Sequence, residues 1–133
     1  NNSEVRGLHL FRTKARCINC HNGPLFSDNQ FHNRGFSNGD VGYYKVTHIE
    51  EDMGKFKTPS LRDVARTGPW MHDGQFNSLE QIISQYSIAK FPPGTNPLLR
   101  TIGLTDREQK DLLAFLKAIS APPLAFSKPV LPE

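Results

Sequence analysis

The chain has 133 residues and a formal charge of +3; 37% of it is hydrophobic, with 10 glycines, 10 prolines and only two cysteines. That length fits one domain by the usual prior of roughly 100–200 residues, and the abundance of Gly and Pro implies long loops around a modest core. No apolar run approaches the roughly 20 residues of a membrane span, and no Lys/Arg run interleaved with aromatics marks a nucleic-acid surface, so neither partner is expected. No leader segment is visible, and the opening Asn1-Asn2 reads as a processed protein or a piece cut from a longer one.

A first helix is expected from near Ser3, its apolar side formed by Leu8, Phe11 and Ala15 at i, i+3, i+7 and extended by Leu10. Arg12, Lys14 and Arg16 crowd its far end. They read either as a solvated helix face or as a basic rim that steers an acidic redox protein. Cys17-Ile18-Asn19-Cys20-His21 follows and uses both cysteines of the chain. C-x-x-C-H is the attachment sequence for c-type haem. Two thiols three residues apart on a helical turn can meet the two vinyl groups of the porphyrin, and the next histidine can offer its imidazole to the iron. Redox dithiols and zinc half-sites share the C-x-x-C spacing, but the added histidine and the lack of further cysteines favour one covalent haem c. A haem would also act as apolar filler, so the haem-free chain should be less ordered. Covalent haem attachment further implies an exported, periplasmic protein.

Residues 22–59 carry turn formers throughout and read as a long loop that wraps the cofactor, with a short β-hairpin pairing 30–36 with 54–57. Ser60–Arg66 is predicted as a short helix after Pro59, broken by Thr67-Gly68-Pro69. Ser78-Leu-Glu-Gln81 and Thr105-Asp-Arg-Glu108 are capping-box patterns, predicting helices to about Ala89 and through Ile119. The second of these carries a broad apolar stripe of Leu112, Leu113, Phe115, Leu116 and Ile119. Ala121-Pro122-Pro123 ends it, and a Pro-rich tail over 122–133 reads as an extended strap or linker. The expected architecture is all-α with long loops, of the class I cytochrome c kind, with the haem domain in residues 1–121.

The sixth position on the iron has several candidates: Met53, Met71, Tyr86 and the histidines 9, 32, 48 and 72. Methionine is the usual distal ligand of electron-transfer cytochromes and raises the potential. Leu79, Ile82, Ile83 and Tyr86 fall at i, i+3, i+4, i+7, so the phenol shares the apolar face of its helix. It reads either as a core tyrosine bonded to a backbone carbonyl or as a phenolate ligand, which would lower the potential.

Gly23-Pro-Leu-Phe26-x-Asp28, Phe31-His32-Asn33-x-Gly35 and above all Gly54-Lys-Phe-Lys-Thr-Pro-Ser-Leu-Arg-Asp-Val-Ala65, followed by Thr67-Gly-Pro-Trp-Met-His-Asp-Gly74, resemble the bacterial di-haem cytochrome c peroxidase and MauG superfamily. The resemblance runs from residue 4 to about 119 and is to the C-terminal haem domain of those two-domain proteins. It implies a distal ligand fourteen residues beyond His72, which is Tyr86, a tyrosine as in the MauG-type members. It also implies a calcium ion held partly by the backbone carbonyls of Thr67 and Pro69. His72-Asp73-Gly74 reads either as a haem-side hydrogen-bonding element, with His72 a candidate catalytic residue, or as a purely structural turn. Arg62 and Lys57 are candidates to pair with propionates, or ordinary surface charges.

The resemblance implies a parent enzyme with a second haem in an N-terminal domain, where peroxide would be activated, and a protein electron donor or protein substrate. With one C-x-x-C-H, this chain would not by itself be competent for peroxide chemistry. The alternative is a stand-alone mono-haem electron-transfer cytochrome c. A zinc or dithiol module is the reading that needs no haem.

Overall fold

The structure, a computed structural model, describes residues 1–122 and 125–129. In chain order it holds α1 (Asn2–Arg12), β1 (Phe31–Asn33), α2 (Tyr44–Thr47), β2 (Lys55–Lys57), α3 (Leu79–Ile88) and α4 (Asp106–Ala118), with three single 3₁₀ turns between them. Part of the expected 122–133 strap lies outside the described residues; Pro122 and residues 125–129 carry no helix or strand.

The frame is α1 packed on α4. Asn1 caps α1, accepting from the Ser3 and Glu4 N–H groups while Glu4 reaches back to the cap. The helix therefore starts one residue earlier than the expected Ser3. Its buried side chains also differ from the predicted stripe: Gly7, Leu10 and Phe11 face inward, while Leu8 is exposed. Gly7 explains the rotation. A Cβ there would stand 2.0 Å from the Asp111 carbonyl oxygen and 2.7 Å from Phe115 Cβ, so only glycine allows the two helices to meet this closely. Phe11, Phe26 and Phe115 form an aromatic cluster at this crossing, Phe26 edge-on to the other two, with ring centroids 5.1–6.2 Å apart. Beside it Asp111 is buried and takes both oxygens to the Arg6 guanidinium, at 2.7 and 2.8 Å, and a third bond from the Ser3 hydroxyl. These bonds, Arg6 foremost, hold the Asp111 carboxyl down to about 2.

α4 has the full capping box expected at Thr105, with Glu108 returning to the cap. α3 has half of one. Ser78 Oγ accepts from Gln81 N–H, but the Gln81 side chain accepts from Asn77 N–H instead, one residue outside the box. Leu79 and Ile83 bury α3 in the core shared with Leu104, Leu112 and Leu116.

The hairpin forms as expected and is antiparallel, with register Phe31↔Lys57, His32↔Phe56 and Asn33↔Lys55. The helix expected over 60–66 does not form. Asp63 sits at φ 58, in the left-handed region, and only a 3₁₀ turn at Val64–Arg66 follows. One turn of helix, α2, lies inside the segment read as loop.

Candidate functional site

Cys17 and Cys20 lie on the 3₁₀ turn Cys17–Asn19 and the residue that closes it, with Cys20 N–H bonded to Cys17 O at 3.3 Å and His21 N–H to the same carbonyl at 2.8 Å. Both thiols are free. α1 ends just before this turn, so the frame fixes where the sulfurs stand. Lys14 adds a tie to α4 through Glu108, at 2.7 and 2.9 Å.

Burial pushes the Cys17 thiol up to about 12, and burial followed by the Asp28 charge raises Cys20. A reactive dithiol needs the opposite, a lowered thiol pKa. The pair is therefore neutral and poorly suited to thiolate chemistry.

His21 Nδ1 is 3.0 Å from the Phe26 carbonyl oxygen. A carbonyl only accepts, so in the neutral ring Nδ1 carries the proton and Nε2 the lone pair. That is the orientation in which a metal-binding histidine is usually held. Burial lowers the His21 pKa against the Phe26 and Pro59 carbonyl bonds, which keeps the ring neutral, as a ligand must be.

Tyr86, on the inward side of α3, is half-buried between two rings: Phe36 edge-on at 5.7 Å and Phe91 at 6.4 Å. Burial pushes its phenol up and the Arg34 guanidinium beside it pulls it down, by its charge and by a hydrogen bond, with Cys17 and Cys20 nearby. The thiols thus lie near Tyr86, and Arg34 lies within electrostatic reach of Cys20, His21 and Tyr86. Sequence reasoning missed Arg34, which follows β1 directly, because no spacing rule or motif singled it out.

The other candidates fall elsewhere. Met53 is partly exposed on the turn before β2, and its carbonyl accepts from Asn33. Met71 lies closer, its Sδ accepting from Arg34 Nη1 at 2.9 Å. His9 and His48 are exposed. His32 is held between Asp28, at 2.7 Å, and Asn96, at 2.6 Å. Cys20, Asp28 and His32 place their donor atoms within 4.8 Å of one another, a grouping the sequence reading did not find. It has three donors, fewer than the four of a structural zinc site, and the Asp28 and His32 side chains are already bonded to each other.

His72 stacks on Phe56 at 3.9 Å, and its Nε2 is 3.9 Å from an Asp40 oxygen. Its Nδ1 is buried and lacks a hydrogen-bond partner among the described residues. Asp73 and Gly74 are accounted for by the turn. Asp73 Oδ1 accepts from Gln75 N–H at 3.2 Å, and Gly74 sits at φ 71, where a side chain would be strained. Thr67 and Pro69 are exposed, and neither carbonyl accepts a hydrogen bond among the described residues. Arg62 donates to the Pro24 carbonyl at 3.3 Å and Lys57 to Asn29 at 2.8 Å. An open groove of about 620 Å³ along α3 contains Glu80 but no His or Cys, and shares no residue with this cluster.

The donor chemistry suits a covalently held haem. It offers two unactivated thiols, a neutral imidazole donating from Nδ1, and a half-buried phenol within electrostatic reach of the thiols. A haem c here would be held by Cys17, Cys20 and His21.

No protein-family model matches the chain. A cytochrome-c peroxidase of Denitromonas iodatirespirans is 38% identical over 96% of this chain and 43% of its own length. The methylamine utilization protein MauG of Methylorubrum extorquens is 39% identical over 96% of this chain and 37% of its own. Among solved structures, a MauG-like protein associated with microbial copper homeostasis matches with a TM-score of 0.81 at 33% identity, over 90% of this chain and 44% of that one. The diheme peroxidase BthA of Burkholderia thailandensis shares the fold, with a TM-score of 0.69 at 22% identity. The chain spans less than half the length of each relative. Among the described residues no helix is long and apolar enough to cross a membrane.

Proposed function

We propose, because this chain belongs to the bacterial cytochrome c peroxidase and MauG family, that it is the C-terminal haem domain of a two-domain, di-haem member of that family. Its fold is then that of a class I cytochrome c, with the α1–α4 crossing as the frame. The parent would be a periplasmic oxidoreductase acting on peroxide or on a protein side chain, and this domain would store and pass electrons between the other haem and a redox protein.

The haem would supply one-electron chemistry at its iron. Cys17 and Cys20 would hold it by two thioether bonds, and His21 would offer Nε2, kept in that tautomer by the Phe26 carbonyl. Tyr86 would be the second protein ligand of the iron. An iron held by two side chains of this chain would leave peroxide activation to the partner domain. Calcium, held in part by the Thr67 and Pro69 carbonyls, would sit at the junction with that domain. His72 would turn its unpaired Nδ1 to a propionate rather than act in catalysis.

The observation that carries the reading is the His21 tautomer set 3.0 Å from Phe26 O, directly after a turn that carries two unactivated thiols. A pyridine haemochrome assay on protein matured with haem tests it. One c-type haem for this C-x-x-C-H, lost in the Cys17→Ser/Cys20→Ser variant, is the expected result. Protein that carries no c-type haem at this motif would overturn the reading.

A further inference from the structure

Arg34 is half-buried, yet among the described residues no carboxylate lies within ion-pairing distance of it. It donates to the Met71 thioether sulfur, at 2.9 Å, a weak acceptor, and reaches the Tyr86 phenol. A guanidinium has five N–H donors and stays charged in proteins, so this one has unspent donors and no counter-charge. Its charge acts on Cys20, His21 and Tyr86, which places it inside the cluster. Two residues on, Phe36 sets its ring edge-on to Tyr86 at 5.7 Å. The segment after β1 thus brings a cation to the phenol oxygen and an apolar ring to its side.

We propose that Arg34 is the charge partner of the Tyr86 phenolate and thereby sets the potential of the site, an inference that rests on Tyr86 being the distal ligand. A charge-assisted N–H···O⁻ bond gives the guanidinium the anionic acceptor it lacks. It also draws electron density from the phenolate oxygen, and so from the iron. Both this bond and the positive charge itself favour the reduced state. Arg34 therefore opposes the lowering of potential that a phenolate brings, and it is a positioning and tuning residue, not a catalytic one.

Redox titration and resonance Raman of the haem-loaded protein test this in wild type, Arg34→Gln, Arg34→Lys and Tyr86→Phe. Haem content is checked in each, and Arg34→Lys stands in if Arg34→Gln loads poorly. Arg34→Gln should titrate at a more negative potential, with the iron–phenolate stretch moved to higher frequency; Arg34→Lys should fall between it and wild type. In a Tyr86→Phe background the Arg34→Gln shift should largely vanish. Unchanged potential and stretch in Arg34→Gln would overturn the Arg34 role while leaving Tyr86 ligation standing. An equal shift in both backgrounds, with altered propionate modes, would assign Arg34 to a propionate and overturn it too. A Tyr86→Phe spectrum identical to wild type would defeat the ligation itself.

Discussion

The α1–α4 frame and the segment from β1 to α3 are built on opposite terms. In the frame every polar group buried at the helix crossing has its partner: Asp111 takes Arg6 and Ser3 together, and three phenylalanine rings fill the space beside it. The segment facing it holds polar groups that its own contacts leave short. Arg34 has a thioether for an acceptor, and His72 Nδ1 has none among the described residues. Half-satisfied polar groups cost stability in a structure that contains nothing else. Arg34 lies within electrostatic reach of Cys20, His21 and Tyr86, whereas His72 stacks on Phe56; the frame is closed on itself and the other segment is not.

Substitutions should separate the two regions. Phe11, 2% exposed at the centre of the frame, should lose the most. Phe11→Ala is expected to cost about 3–5 kcal/mol in chemical denaturation, the range for emptying a buried aromatic site. Gly7→Val comes next, at about 1–3 kcal/mol for overpacking, because its Cβ would meet the Asp111 carbonyl. A wild-type midpoint in this variant would mean that the helices are not held at the described separation.

Arg6→Met should lower stability in a pH-dependent way. Asp111 has its folded-state pKa depressed to about 2 from an ordinary 3.8, so its contribution is present above about pH 4 and is lost as pH falls through 2. The stability gap between wild type and Arg6→Met should therefore be full at neutral pH and shrink between pH 4 and 2. A gap independent of pH over that window would show that the pair does not act through the carboxylate. His72→Phe should do least. Replacing an unpaired buried imidazole by an apolar ring of similar shape is expected to be neutral or stabilising in haem-free protein, and a loss above about 1 kcal/mol would mean that Nδ1 has a partner there.

The helices were readable in the sequence because their signals are local. Thr105 with Glu108, and Ser78 with Gln81, announced two helices within a residue or two of where they lie. Periodicity nevertheless put Leu8 in the core and overlooked Gly7, since a hydrophobic pattern assigns no packing value to a missing side chain. The expected helix over 60–66 failed for a similar reason: nothing in the composition marks Asp63 as the left-handed residue that interrupts it. At the proposed site, Cys17, Cys20 and His21 were expected from their spacing, and Tyr86 from a resemblance and a count. Arg34 carried no signal at all, because the chain after β1 meets α3 only in the fold, where Phe36 packs on Tyr86 across fifty residues of chain.

The central claim is that Tyr86 closes the iron opposite His21. Near-infrared magnetic circular dichroism of the ferric haem-loaded protein reports the axial pair directly. A histidine–phenolate signature at this haem, lost in Tyr86→Phe, is the predicted result. A histidine–methionine signature that survives in Tyr86→Phe would contradict it and return the site to Met71.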